Sequence, residues 1–142
     1  MNGRFDWAAI RSGASVCLVL AVPFSLLARW AADSRDDEGL AIILTLCALA
    51  GFVIGSGVAA WVQRGGLPLA HAIVTASLTY LGAQTLFITL RLVTGREVRW
   101  FAALFNVTPV LLAGVVGGML GLVLQRRGIV PGARGRIEGG DT

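Results

Sequence analysis

Four stretches without a single Asp, Glu, Lys or Arg decide what this chain can become. They lie between Arg11 and Arg29, Glu38 and Arg64, Arg64 and Arg91, and Arg99 and Arg126, and they hold 17, 25, 26 and 26 residues. A helix rises about 1.5 Å per residue, so roughly 20 residues cross about 30 Å of hydrocarbon. The last three runs are long enough. The first is short, but the stems of Arg11 and Arg29 can extend to the headgroups. The sequence therefore predicts an all-α integral membrane bundle of four transmembrane helices, near residues 10–31, 39–63, 68–92 and 101–125. Composition agrees, with 14% charged residues in a chain of 142, against about 25% in a soluble domain. Residues 1–127 read as one membrane domain. Residues 128–142, "GIVPGARGRIEGGDT", carry Gly and Pro without apolar periodicity and read as a disordered basic tail.

The first run has the Arg-bearing start of a secretory signal, but "LLARWAADS" offers no small-x-small cleavage site. A retained span is expected, with Pro23 tolerated inside it. Four spans place both termini on one side. That side carries seven arginines, including Arg4, Arg11, Arg64, Arg126 and Arg127; the other carries five: Arg29, Arg35, Arg91, Arg96 and Arg99. The excess favours cytoplasmic termini. Trp7, Trp30, Trp61 and Trp100 each fall at a predicted helix end, where indole rings anchor at the membrane interface. The basic tail suits lipid headgroups better than nucleic acid, and no nucleic-acid partner is expected.

Within the second run, "GSGVAA" at residues 55–60 fits a dinucleotide fingerprint. Such a site needs a preceding strand, a tight turn and an acid about 20 positions later. Residues 75–82, "TASLTYLG", supply no acid, and the nucleotide reading fails. A membrane reading accounts for the same glycines. Ala48, Gly51, Gly55 and Ala59 fall within roughly an 80° arc, and Gly114, Gly117, Gly118 and Gly121 within roughly 100°. Small-residue stripes let helix backbones approach closely where lipid supplies no hydrophobic drive. Close contacts are expected on the second and fourth helices, with each other or with other neighbours.

Polar side chains in hydrocarbon point to function or to interhelical hydrogen bonds. On the third helix Ser77, Tyr80, Gln84 and Arg91 share one stripe of roughly 60°, and His71, Thr75, Thr79 and Thr89 form another. Tyr80 and Gln84, with Ser77 and with Asn106 from the fourth helix, are the candidate polar lining. Pro109, near Asn106, opens backbone groups there. His71 lacks companion ligands, so an interfacial hydrogen bond is expected rather than a metal. Cys17 and Cys47 lie in separate spans and read as free thiols. All five acids between Asp33 and Glu97 lie in turns outside the spans, and proton-coupled transport usually needs an intramembrane carboxylate. Neither a Ser-His-Asp set, an H-E-x-x-H motif nor a phosphate loop is present. The expectation is a non-enzymatic chain with no cofactor and no metal.

The order of a glycine-bearing second span, the Arg64-Gly65-Gly66 turn, His71 and Tyr80 on the third span, and "GVVGGMLG" before Arg126-Arg127 resembles a family of small bacterial four-span membrane proteins of unknown function. The likeness covers about residues 40–127. It implies a multi-pass protein of a bacterial inner membrane and supplies no activity. Two functions remain open. One is an accessory or scaffold protein that packs with lipids and with itself or another membrane protein. The other is a small oligomeric channel or facilitator with a polar path along the third helix.

Overall fold

The computed structural model describes residues 5–95, 97–98 and 100–129. Among them every regular element is helical: α1 (Trp7–Ser34), α2 (Glu38–Val62), α3 (Pro68–Val93), α4 (Trp100–Phe105) and α5 (Val107–Arg126). Four of these, all but α4, are long and apolar enough to cross a membrane. The tail beyond residue 129 lies outside the described residues.

Each start has a local cause. Asp6 caps α1, its Oδ1 accepting from the amides of Ala8 and Ala9 at 3.1 and 3.2 Å. Asp37 does the same for α2, accepting from Leu40 at 2.9 Å. Pro68 opens α3 at its first position, where no amide is needed. Gly95 and Gly128 follow α3 and α5 with φ of +66° and +73°, a conformation that glycine adopts without a Cβ penalty.

The fourth predicted span is not one helix. α4 and α5 are separated by a turn at Asn106. Pro109 has no amide to give the carbonyl of Phe105, and its ring crowds that carbonyl, so the ladder breaks one turn upstream. The part long and apolar enough to cross a membrane is the 20 residues of α5, about 30 Å of rise. Trp100, Phe101, Leu104 and Phe105 on α4 are 61–83% exposed.

α2 lies against α1, α3 and α5, and α3 packs on both α1 and α5, which leaves α1 and α5 at opposite corners. Helix direction divides the molecule into two halves. One end carries Asp6, the 63–67 turn and Arg126; the other carries the 35–37 turn, Thr94 and Trp100. The close glycine contacts run from the middle of the bundle toward the first end. A Cβ on Gly13 would stand 2.5 Å from the Gly55 carbonyl, and one on Gly55 would overlap the Cys17 thiol. A Cβ on Gly51 would meet Leu20 and Ala21 at 2.9 and 3.1 Å. The stripe Ala48, Gly51, Gly55, Ala59 thus faces α1.

The second and fourth predicted spans do touch, through a different face of α2. Gly117 sits so close to Ser56 and Val53 that a Cβ would overlap both, and Gly121 would meet Ala60 and the Gly57 carbonyl at 2.6 Å. Gly114 and Gly118 turn instead to α3, where Ala76 and Ala72 lie 3.0 and 2.9 Å from the added Cβ. One glycine stripe on α5 therefore serves two neighbours. A helical wheel gives the face but not the partner.

Candidate functional site: a cavity open at one end

Toward the other end the four long helices make no close glycine contact. Between them lies a cavity of about 420 Å³, within the range of small-ligand pockets. α1 contributes from Cys17 to Asp33, α2 from Ala41 to Phe52, α3 from Thr79 to Arg91, and the α5 entrance contributes Asn106, Pro109 and Val110. None of Ser56, Ala72, Ala76 or His71 lines it. It reaches Cys17 and Ala21, which pack on Gly55 and Gly51, and none of its lining lies beyond them toward the sealed end.

The deep end is mostly apolar, with Leu18, Val22, Leu49, Phe52 and Val110. Thr79 also lies there; it is 5% exposed and its hydroxyl lacks a conventional hydrogen-bond partner. The neighbouring Cys17 sulfur is a weak one. Further out, Gln84 donates from Nε2 to the Tyr80 hydroxyl at 2.6 Å. Tyr80 is 9% exposed and Gln84 half-buried. At the mouth stand Arg29 and Asp33 of α1 and Arg91 of α3. The Arg29 guanidinium lies 4.7 Å from the centre of the Phe87 ring, a cation–π contact across the α1–α3 seam. Arg91 donates from Nη1 to the Glu97 carbonyl at 2.8 Å.

Three of the four residues expected to form a polar lining, Tyr80, Gln84 and Asn106, reach this cavity. Ser77 does not; it is half-buried elsewhere on α3. Sequence reasoning missed Arg29, whose membrane-edge position reads as simple snorkelling, and it missed Phe52 and Cys17 as parts of a wall. A cavity wall built by four elements leaves no spacing pattern in any one of them.

The opposite end is sealed by polar contacts. The Asp6 amide donates to His71 Nε2 at 2.8 Å, and His71 Nδ1 lies 2.7 Å from the Leu67 carbonyl. An amide can only donate, so Nε2 accepts and the proton sits on Nδ1. His71 is 0% exposed, with the Phe5 ring 5.2 Å away. Asp6 also accepts from the Arg64 amide at 3.4 Å. These amides, that of Ala9 first, hold the Asp6 carboxyl below its ordinary value. From α5, Gln125 Nε2 donates to the carbonyls of Ala60 and Trp61 at 2.9 and 3.0 Å. Those groups belong to the last turn of α2, which has no helical donors of its own. The Trp61 indole donates to Ile129 at 2.6 Å.

Cys17 is buried and Cys47 half-buried, both as free thiols. Among the described residues no three of His, Cys, Asp and Glu come together as metal ligands would. Trp7 and Trp61 lie at the sealed end and Trp30 and Trp100 at the open one, each at or near a helix terminus. No family model, curated protein or solved structure matches this chain.

Proposed function

We propose that this chain is a non-enzymatic membrane protein that holds a ligand in its own four-helix interior, taken up from one side of the bilayer. The observation that carries this reading is the asymmetry of the bundle. Backbone-to-backbone contacts close one half, and a cavity of about 420 Å³ occupies the other. In this reading the sealed end faces the cytoplasm, supported by the arginine excess on that side, and the membrane is a bacterial inner membrane, supported by the resemblance to small bacterial four-span proteins.

The accessory or scaffold reading loses ground because the glycine stripes are spent within the chain. Among the glycines of the spans, Gly82 alone faces open space in mid-helix. A facilitator that follows Tyr80 and Gln84 would have to part the glycine-packed half, where neighbouring backbones leave no room for a Cβ. Native mass spectrometry from gentle detergent tests the proposal. A retained small-molecule mass that disappears in Ala83→Trp, a substitution that fills the cavity, supports it. A stoichiometric membrane-protein partner, with nothing retained in the cavity, supports the accessory reading. Solute flux through liposomes that is abolished by Gln84→Leu supports the facilitator.

A further inference from the structure

We propose that Arg29 and Arg91 receive the anionic head of an amphiphile whose hydrocarbon chain runs inward along Leu18, Val22, Leu49 and Phe52; this rests on the ligand-holding reading above. Two guanidinium groups come from different helices to one mouth, close enough to act on each other electrostatically. Like charges at a membrane edge repel, and an anion between them removes that repulsion while gaining two charge-assisted hydrogen bonds. Both side chains are already positioned, Arg29 over the Phe87 ring and Arg91 by the Glu97 carbonyl. Among the described residues neither forms an ion pair at contact distance. Asp33, four residues after Arg29, lines the same mouth and also acts on Arg29. It offsets one of the two positive charges, so the lining keeps a net charge of one cation.

The shape of the wall selects the class of ligand. A small hydrated anion would use the mouth and leave the apolar depth empty. A neutral lipid would fill the depth and leave the one positive charge that Asp33 does not offset without a counter-charge. A carboxylate or phosphate on a single alkyl chain satisfies both ends. The Thr79 hydroxyl and the Gln84–Tyr80 pair, set along the route, tolerate a polar interruption in that chain.

The test uses the full chain in neutral lipid nanodiscs, with binding followed by native mass spectrometry and by thermal melting. The probes are laurate, methyl laurate, dodecyl phosphate and inorganic phosphate. Laurate and dodecyl phosphate are expected to bind at least about tenfold more tightly than methyl laurate or inorganic phosphate, a factor worth roughly 1.4 kcal/mol. Arg29→Gln with Arg91→Gln is expected to reduce laurate to the level of its ester. Arg29→Lys with Arg91→Lys keeps the charge and most of the affinity, which separates the loss from misfolding. Asp33→Asn is expected to tighten both anionic amphiphiles. The proposal is overturned if methyl laurate matches laurate, if the double Gln variant keeps its affinity, or if inorganic phosphate binds as well as dodecyl phosphate. Where Ala83→Trp abolishes binding of laurate and its ester alike and the two bind equally, the cavity reading stands and the anion assignment fails. Where Ala83→Trp changes nothing, both fall.

Discussion

Gly13 of α1 and Gly55 of α2 meet backbone to backbone: a Cβ placed on either would stand 2.5–2.7 Å from the other's carbonyl oxygen. No side-chain adjustment relieves such a contact. The two helices would have to move apart. Gly55→Ala, and Gly117→Ala at the α2–α5 contact, are each expected to destabilise the bundle by about 1–3 kcal/mol, the range for overpacking a tight interior. Gly82→Ala is the control. Its Cβ would meet nothing within 4 Å, and helix propensity favours Ala by up to about 1 kcal/mol. Thermal melting in detergent checks all three, and equal melting temperatures would remove the close contacts from the account.

What the sequence discloses about this fold follows from the same physics. Charge-free runs fix the number of spans because a charge in hydrocarbon is expensive whatever surrounds it. The partner of each small residue is not fixed in that way. Gly57 lies outside the stripe formed by Gly51, Gly55 and Ala59, yet it meets Gly117 and Gly121. Hydropathy runs on through Asn106, so the break there shows only as Pro109. Tyr80 and Gln84 were legible as polar groups in the membrane. Arg29 was not, because its role depends on Arg91 and Phe87 from another helix.

Gln125 ties α5 to the end of α2 through carbonyls that have no helical donors. Gln125→Leu keeps the bulk and removes the donor. A destabilisation of about 1 kcal/mol is expected, toward the low end for a part-buried site. Faster amide exchange in the last turn of α2, without change near Asp37, would locate the effect; a uniform change along α2 would contradict it.

The Asp6 carboxylate carries a pH dependence of known sign. Its folded value is held below the ordinary 3.8 by the Ala9, Arg64 and Ala8 amides. The stability it supplies is therefore whole above 3.8 and is lost as the pH falls through the lower folded value. Protonation removes the α1 cap and the bond to Arg64 together. Trp7 fluorescence, followed down in pH, is expected to change only in that acid window, and Asp6→Asn is expected to abolish the transition. A transition that persists in the Asn variant would assign it to another group.

Pro109 sets the break between α4 and α5. Pro109→Ala restores the amide that Phe105 lacks and is expected to extend α5 through Asn106 as a continuous helix. Asn106 lines the cavity, so straightening the segment should also alter the mouth. Amide protection at residue 109, coupled to weaker retention of ligand, is the expected pair of results. Unchanged protection of the Asn106 segment would place the cause of the break elsewhere.

The most direct measurement of the central claim is labelling from each side of the membrane with a charged, impermeant thiol reagent. Cys17→Ala and Cys47→Ala remove the native thiols, and single cysteines replace Gln84 or Ala72. Gln84→Cys is expected to react from one side only, and Ala72→Cys, packed on Gly118, from neither. Reaction of Gln84→Cys from both sides, or ready reaction of Ala72→Cys, would show that water passes through the glycine-packed half and would contradict its closure.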